Sequence, residues 1–399
     1  MRKSTSTRSD WPAEGSLPTP MLQARFHARI EEIDRDAWDA LGGNVNPFVQ
    51  HAFLAGLERH DCIRAAYGWR AHHLSLHDGE RLVAVAPVYL KGNSHGEYVF
   101  DWSWASAHAR HGLDYYPKLL CGVPYSPVTG PRLLVGSGPG AADRRSALIA
   151  ALADETRRLG LSSIHVNFTD ATDTAALTVS NGWLARSDWQ FHWHNRGYRD
   201  FADFLDALSH RKRKNIRQER LHVARAGATC ELRHGDELND ADWRALHGFY
   251  LRTFEEHGNH PALALDFFRH LGRTMPRQVL AVLCRRDGDL IAGALLMRND
   301  STLYGRYWGA NETVPGLHFE ACYYQGIEYC LREGLQRFEP GAQGEHKLAR
   351  GFLPARTHSF HWIADTRFRA AIADALAAEA PMLDAYREQL VHHSPYTHR

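Results

Sequence analysis

Apolar and polar positions along the chain alternate in a way that predicts the same pair of strands twice. In the first half, Asp78-Gly79 precedes the apolar run RLVAVAPVYLK and then GEYVFDWSW. In the second half, Asp287-Gly288 precedes LIAGALLMR, a polar turn and TLYGRYWGA. An Asp-Gly pair beside such runs is a strong hairpin signal. Each half is therefore predicted to contain strand, turn and strand, with an offset of 209 residues between the two copies.

A second matched pair follows, in which a predicted helix ends in Gly-Leu and leads into a strand. The segments are RRLGLSSIHVNF and LREGLQRFEPG, and Gly160 and Gly334 are 174 residues apart. The first copy therefore carries 35 additional residues, which fall near 101–140. This insert is rich in aromatic residues, glycine and proline, which favours an ordered functional loop over a flexible linker. Structural filler is the open alternative.

These repeats predict an α/β (α+β) fold made of two tandem units, each with a mixed, largely antiparallel sheet flanked by helices. Residues 1–20 are predicted to be a disordered tail. The first unit is expected at 21–195, with the insert at about 101–140. The second is expected at 196–390 and should end in a C-terminal helix.

One helix in the second unit has a clear apolar face. Apolar residues recur at helical spacing between Phe319 and Glu333, which predicts that this face packs against the core. Cys322 and Cys330 lie on that face, so we expect both to be packing residues rather than reactive thiols.

Composition narrows the class of protein. The chain has 399 residues, 44% hydrophobic, with a formal net charge of +1, which fits two globular domains and gives no global field for nucleic acid or membranes. The six cysteines show no metal-ligand spacing, and no apolar run is long enough for a membrane span. We therefore expect a cytoplasmic protein without integral membrane association.

The densest chemistry lies in FEPGAQGEHKLARGF, after the last repeated strand. Between Glu339 and Arg350 it combines acids, an imidazole and two cations with two glycines, Gly341 and Gly344. Acyl transfer to an amine requires a base, donors for the developing oxyanion and often cations for a phosphorylated substrate. A glycine-rich turn with solvated charges is the alternative.

Two further polar groups are candidates. Arg306 and Tyr307 lie on a predicted strand, and His318 and Glu320 lie near a helix start, where the helix dipole favours negative charge. A basic run, SHRKRKNIRQER, offers phosphate-binding candidates or else a solvated helix face. Its candidates are Arg211, Arg213, Lys214 and Arg217.

Four long blocks resemble the FemAB-like family of predicted N-acyltransferases, from Met21 to about Asp365. They are NPFVQHAFLAGLE, the insert DWSWASAHARHGLDYYPKLLCGVPYSPVTGPRLL, YWGANETVPGLHFEACYYQGIEYC and FEPGAQGEHKLARGF. The resemblance implies tandem domains of the GNAT (GCN5-related N-acetyltransferase) type and a link to aminoacyl transferases of peptidoglycan synthesis.

The family blocks also imply site residues. In the first half these are Asn46, Asp101, Trp102, Tyr115, Tyr116, Lys118 and Arg132. In the second half they are Arg306, His318, Glu320, Glu339, Gln343, Glu345, His346, Lys347 and Arg350. We assign Glu345, His346, Glu320 and His318 to catalysis, and the others, with Tyr307 but without Asn46, to substrate binding.

The expected activity is transfer of an acyl or aminoacyl group to an amine by direct attack. The acceptor is an amine-bearing small molecule, peptide or cell-wall precursor, and the co-substrate is aminoacyl-tRNA or acyl-CoA. No metal or tightly bound cofactor is expected. A non-catalytic protein that binds a peptidoglycan precursor or charged tRNA is the alternative from a different class.

Overall fold

The computed structural model describes residues 22–342 and 344–397, so the predicted tail at 1–20 and the candidate Gln343 lie outside the described residues. The strands are β1 Gln23–His27, β2 Trp69–Ala71, β3 His73–Asp78, β4 Arg81–Ala86, β5 Val88–Lys91, β6 Lys118–Cys121, β7 Ser163–Asn167, β8 Trp183–His194, β9 Ala228–His234, β10 Val279–Arg286, β11 Asp289–Arg298, β12 Thr302–Ala310, β13 Arg337–Glu339 and β14 Leu353–Ile363.

The helices surround these strands. They are α1 Arg35–Ala40, α2 His51–Arg59, α3 Trp102–Arg110, α4 Ala141–Arg158, α5 Ala171–Thr178, α6 Phe201–Asp206, α7 His210–Arg225, α8 Asp240–Glu256, α9 Leu265–Thr274, α10 Leu317–Phe319, α11 Gln325–Glu333 and α12 Thr366–His392. A π-helix, Glu320–Tyr324, joins α10 to α11, and the longest 3-10 helix is Glu345–Arg350. Both predicted Asp-Gly hairpins are confirmed, β3–β4 and β10–β11.

Eleven strands form one sheet, in the order β2-β5-β6-β7-β14-β8-β13-β12-β11-β10-β9, and β1-β3-β4 form a smaller sheet. The pairs β6–β7 and β12–β13 are parallel, and every other pair within the described residues is antiparallel. The predicted mixed, largely antiparallel α/β fold is confirmed.

The halves exchange their closing strands. β14, from the end of the chain, pairs with β7 of the first half, and β8 pairs with β13 of the second half. β8 and β14 also pair with each other over ten residue pairs. Because the two halves share one sheet, the side chains of each half come close to those of the other.

The second predicted strand of the first hairpin, GEYVFDWSW, is wrong. Residues 92–100 form a loop and 102–110 form α3, while the strand that pairs with β5 is β6, Lys118–Cys121. Pro87 separates β4 from β5 and removes a backbone donor there. The predicted insert at 101–140 therefore contains a helix and a strand of the main sheet and is not a single loop.

The helix predicted at Phe319–Glu333 is confirmed, since the chain is helical from Leu317 to Glu333 and ends at Gly334, whose φ is +70°. Cys330 is fully buried as expected, whereas Cys322 is only half-buried. None of the helices among residues 22–342 and 344–397 is both long and apolar enough to cross a bilayer.

Candidate functional site

A cleft opens in the second half where two parallel strands diverge. β12 and β13 pair only from Thr302–Tyr304 to Arg337–Glu339, after which β12 continues to Ala310 and β13 ends. The space between them is about 250 Å³. Its walls include Arg306, Tyr307, His318, Tyr323, His346 and Lys347. The structure thus brings five of the predicted site residues together around one opening.

A bulge shapes the strand side of the cleft. Leu295 pairs with Tyr307 and Leu296 with Gly305, so Arg306 is an extra residue without a partner in the ladder. The Arg306 guanidinium donates to the carbonyl oxygen of Tyr125, which belongs to the first half. The first half therefore closes one edge of this cleft.

A π-helix shapes the opposite wall. Glu320–Tyr324 interrupts the regular α-helical hydrogen bonding, and such single-turn interruptions occur frequently at functional sites. Both Cys322 and Tyr323 line the cleft as neighbours in sequence. Tyr323 is the contact that the sequence did not predict, because its spacing fits the apolar face of the helix.

The two cleft histidines are neutral at neutral pH. Burial, with smaller contributions from the nearby His346, Arg350 and Lys347, lowers the pKa of His318 to about 4. Burial also lowers the pKa of His346, again with help from Lys347 and Arg350. The Tyr323 hydroxyl lies 2.8 Å from His346 Nε2. A neutral imidazole held by a hydroxyl is suited to accept a proton.

Lys347 is a buried cation that lines the cleft together with these rings. Burial lowers its pKa to about 8, because a low-dielectric environment disfavours the ammonium form. Its Nζ donates to the Gly341 carbonyl oxygen at 2.7 Å, and only 3% of the residue is exposed. Lys347 is thus mostly charged at pH 7 but can lose its proton slightly above it.

Three predicted residues of this region are engaged elsewhere. Glu320 is 5% exposed and accepts two hydrogen bonds from Arg220, at 2.9 and 3.0 Å. Arg350 is bound to Glu219 at 2.5 and 3.1 Å. The Glu345 carboxylate accepts from the Tyr386 hydroxyl at 2.6 Å. These contacts hold the cleft walls in place, and none of the three carboxylate or guanidinium groups lines the cleft.

Glu339 lies at the point of strand divergence. It is 3% exposed, and burial raises its pKa to about 7 although Arg337 acts in the opposite direction. The Arg337 Nε atom is 3.0 Å from Oε1, yet neither carboxylate oxygen receives a well-directed hydrogen bond from the described residues. We regard the pair as a charge contact with poor hydrogen-bond geometry.

The candidates of the first half form a buried network instead of a cleft. Lys118 is fully buried and donates to Asp101, to Glu97 at 2.9 Å and to Ser94 at 3.1 Å. Although burial alone raises the pKa of Asp101, the charges of Lys118 and His165 hold it well below its usual range. Lys118 and Asp101 therefore satisfy each other inside the fold.

The same network crosses to the exchanged strand β14. The Tyr115 hydroxyl donates to Asp101 at 2.5 Å and lies 3.2 Å from His165 Nε2. His165 Nδ1 is in turn 2.5 Å from His361 Nδ1. The Tyr116 hydroxyl lies 2.6 Å from Ser94 Oγ. This network ties the two halves together.

The remaining candidates of the first half have different surroundings. Trp102 is 53% exposed. Arg132 is fully buried and donates to the carbonyl oxygens of Asn167 and Val128. Asn46 donates to the Thr129 carbonyl oxygen at 3.3 Å and accepts from the Phe48 amide. Arg132 and Asn46 therefore hold backbone segments in place.

The four phosphate-binding candidates lie on α7. Arg213, Lys214 and Arg217 line an open concavity of about 210 Å³ on its outer face. Arg213 pairs with Asp206 at 2.6 Å, while Arg211, Lys214 and Arg217 have no salt-bridge partner in the part of the chain that the structure describes. The inner face of the same helix carries Glu219 and Arg220, the residues that hold the cleft walls.

No group of three or more His, Cys, Asp or Glu side chains among residues 22–342 and 344–397 is arranged to hold a metal ion. All six cysteines are free thiols. Sequence reasoning missed His165 and His361, although an identical tripeptide, Phe-His-Trp, occurs at 191–193 and 360–362. Those tripeptides lie on the two exchanged strands, and the second contains His361, which this signal could have found; His165 on β7 has no such signal.

The two halves share one mixed sheet, and the second half opens a cleft between diverging strands. The chain belongs to the FemAB-like family, described as peptidoglycan biosynthesis/recognition, whose model matches residues 29–398. A comparison with curated protein sequences found no significant match.

Two solved structures with TM-scores of 0.50 or more share the fold at 12% sequence identity. The C-terminal domain of an Agrobacterium fabrum protein described as a lysylphosphatidylglycerol synthetase aligns with a TM-score of 0.52 and 12% identity, over 87% of this chain and 96% of that chain. FemX aligns with a TM-score of 0.50 and 12% identity, over 88% and 100%. A tandem GNAT protein from the clavulanic acid biosynthesis pathway aligns at 0.41 and 13%, over 86% and 99%.

Proposed function

We propose that this protein transfers an acyl or aminoacyl group to the amine of an acceptor, by direct attack in the cleft between β12 and β13. The observation that carries the proposal is the pairing of a neutral histidine, His346, with a buried lysine, Lys347, beside a strand bulge in one opening. These groups can supply the base and the charge stabilisation that acyl transfer requires.

Each group has a distinct part in this reaction. As the acceptor nitrogen attacks the acyl carbon, His346 takes the amine proton directly or through the Tyr323 hydroxyl. The bond from the acyl carbon to the donor oxygen or sulfur then breaks, and the proton held by His346 passes to that leaving group. The Lys347 ammonium stabilises the negative charge that develops on the carbonyl oxygen. His318 has a pKa of about 4, too low for an efficient base near pH 7, so we assign it to packing and substrate positioning.

The donor we favour is aminoacyl-tRNA over acyl-CoA. A helix start can bind a diphosphate through free amides, but the start of α10 faces the backbone of α7. A Cβ atom at Gly316, whose φ is +86°, would lie 2.6 Å from the Glu219 carbonyl oxygen. That end of the helix therefore leaves little room for a pyrophosphate, whereas the basic outer face of α7 is open to a polyanion.

The acceptor we propose is a cell-wall precursor or peptide with a free amine, in keeping with the family description. The test is mass spectrometry of precursor and peptide acceptors after incubation with the full chain and either charged tRNA or acyl-CoA. We expect a mass increase that needs charged tRNA and is abolished by RNase.

Variants then separate catalysis from binding alone. His346→Ala and Lys347→Ala should lose the product while still binding the acceptor, and Glu345→Gln should keep most activity because its carboxylate contacts Tyr386. Full activity in the first two variants would contradict the site. Acceptor binding without product under any donor would instead support the non-catalytic alternative.

A further inference from the structure

Two cysteines lie opposite each other at one edge of the main sheet, in the second half. Cys230 of β9 is the direct register partner of Cys284 of β10, although the two residues are 54 positions apart in sequence. Both are free thiols. Residues directly opposite each other on antiparallel strands point to the same face of the sheet, so the two side chains lie side by side.

The packing around the two thiols agrees with this register. Cys284 is fully buried in the apolar cluster that also contains Leu280 and Val282 of the same strand face. Cys230 is half-buried and packs against the same cluster. A side-chain hydrogen bond with Cys230, together with burial, raises the pKa of Cys284 above its usual range. The two thiols therefore interact directly.

The spacing of the pair fits a disulfide. Directly opposite residues on antiparallel strands have Cα atoms about 4.5 or 5.5 Å apart, and disulfides span Cα separations of about 4.4–6.8 Å. β9 is the last strand of the sheet, so it is paired on one side only. It can therefore adjust to the torsion of a new bond without displacing a second neighbouring strand.

The pair lies behind the π-helix Glu320–Tyr324, which forms one wall of the cleft. β10 packs against this π-helix. Cys322 of the π-helix lines the cleft and is close enough to contribute to the raised pKa of Cys284. A third thiol therefore lies near the pair, in the helical layer rather than in the sheet, and it is the competing partner that an experiment must separate.

We propose that Cys230 and Cys284 form a reversible disulfide between β9 and β10 when the protein meets a hydroperoxide. In the first step the Cys230 sulfur bonds to one peroxide oxygen, the O–O bond breaks, and the thiol proton leaves with the other oxygen as water or alcohol. In the second step the Cys284 sulfur attacks the resulting sulfenic acid, its S–O bond breaks, and the Cys284 proton leaves with the hydroxide as water. Both thiols are oxidised and the peroxide is reduced.

The order of the two steps follows from access. Cys230 is half-buried and can meet a small oxidant from solvent, whereas Cys284 is fully buried. Cys284 needs no access to solvent, because it already contacts the sulfur that it must attack. A resolving thiol in place traps the sulfenic acid before it is oxidised irreversibly. This modification does not depend on acyl transfer, so it is tested without the reaction.

The test treats the full chain with hydrogen peroxide, blocks the remaining thiols with iodoacetamide and maps the unreduced peptides by mass spectrometry. We expect one linked pair of peptides, which contains Cys230 and Cys284 and is separated by dithiothreitol. The oxidised protein should unfold about 5 °C above the reduced protein, because the bond closes a loop of 54 residues in the unfolded chain.

Variants make the assignment specific. Cys230→Ser and Cys284→Ala should each abolish the linked peptides and the rise in melting temperature, and circular dichroism checks that both fold. Cys121→Ala is the matched control, because Cys121 is a fully buried strand cysteine whose register partners are Val88 and Val166. It should keep the linkage and the rise.

Four results overturn the proposal. They are the absence of linked peptides, a linkage of Cys230 to Cys322, oxidation of Cys230 to the sulfinic acid without linkage, and a linked protein that melts no higher than the reduced one. The last result would show that the strands must distort to form the bond.

Discussion

The two halves place polar residues at matching positions and use them in opposite ways. His165 on β7 and Glu339 on β13 are 174 residues apart, the offset of the repeat. Each lies on the later strand of a parallel pair, His165 opposite Leu120 and Glu339 opposite Tyr304. His165 is bound within the network of Asp101 and Tyr115. Glu339 has no well-directed partner.

This difference shows how two similar halves of one chain can serve different purposes. In the first half, extra residues near 101–140 supply α3 and the groups that neutralise buried charges, so the space is filled. In the second half no such insert exists and the strands diverge into an open cleft. Paired buried charges contribute fixed geometry, whereas unpaired groups around a cavity remain available for chemistry.

The largest expected effect follows from disrupting the buried network around Lys118 in the first half. Lys118→Met leaves Asp101 and Glu97 buried without their cation, which should lower the free energy of unfolding by about 3–5 kcal/mol. Urea denaturation measures this loss. Lys214→Met, on the exposed face of α7, is the control and should change stability by less than about 0.5 kcal/mol.

The loss in Lys118→Met should depend on pH. In the unaltered protein the pKa of Asp101 is depressed in the folded state, so its contribution is present above the unfolded pKa and disappears as pH falls through the folded pKa. The deficit of the variant should therefore be largest near neutral pH and shrink in acid. A deficit that does not vary with pH would indicate lost packing alone.

The second-largest expected effect follows from removing the proposed base, His346, from the cleft of the second half. His346→Ala should lower kcat by about 10²- to 10⁴-fold, the range typical of a lost general base, with little change in acceptor affinity. His318→Asn should have a smaller effect because the low pKa of His318 makes it a poor base. Steady-state kinetics of both variants decides, and equal losses would contradict the assignment of His346.

Repeats and helix spacing predicted much of this fold, because hairpins and amphipathic helices follow local rules. The strand exchange could not be derived that way, since it depends on which half each closing strand meets. GEYVFDWSW alternates like a strand, yet Asp101 and Trp102 begin a helix, because the chain there must form the network around Lys118. Tertiary contacts override the local pattern at such positions.

Local sequence patterns are equally limited in predicting the candidate site. The density of charge between Glu339 and Arg350 drew attention to His346 and Lys347, and both line the cleft. Composition alone could not separate them from Arg350, whose charge is paired with Glu219 across 131 residues. Pairing between distant residues is a property of the fold and leaves no local signal.

The pH dependence of kcat gives a smaller effect. Because burial lowers the pKa of His346, the base should be lost only as pH falls below about 6.5, the ordinary histidine value. The Lys347 ammonium should be lost as pH rises through about 8, which predicts a bell-shaped profile. Lys347→Arg keeps its charge at high pH and should move the alkaline limb upward. An unchanged alkaline limb would show that Lys347 does not titrate in the reaction.

The smallest expected effect concerns α7. The inner face of this helix carries Glu219 and Arg220, which hold the cleft walls, and its outer face is basic. If a polyanionic donor docks on the outer face of α7, the double variant Lys214→Gln with Arg217→Gln should raise the donor KM about fivefold at low salt and leave kcat unchanged. The slope of log KM against log salt should fall by about 2, one for each lost phosphate contact.

Ionic strength makes this last prediction specific. Exposed charges are screened over about 10 Å at 0.1 M salt, so the variant and the unaltered protein should converge as salt rises. Arg25→Gln with Arg70→Gln removes two exposed charges from the first half and should leave the slope unchanged. If both double variants change the slope equally, net charge and not the α7 surface steers the donor. If neither does, the donor meets the cleft without touching α7, and a small acyl donor becomes the better substrate for the open half.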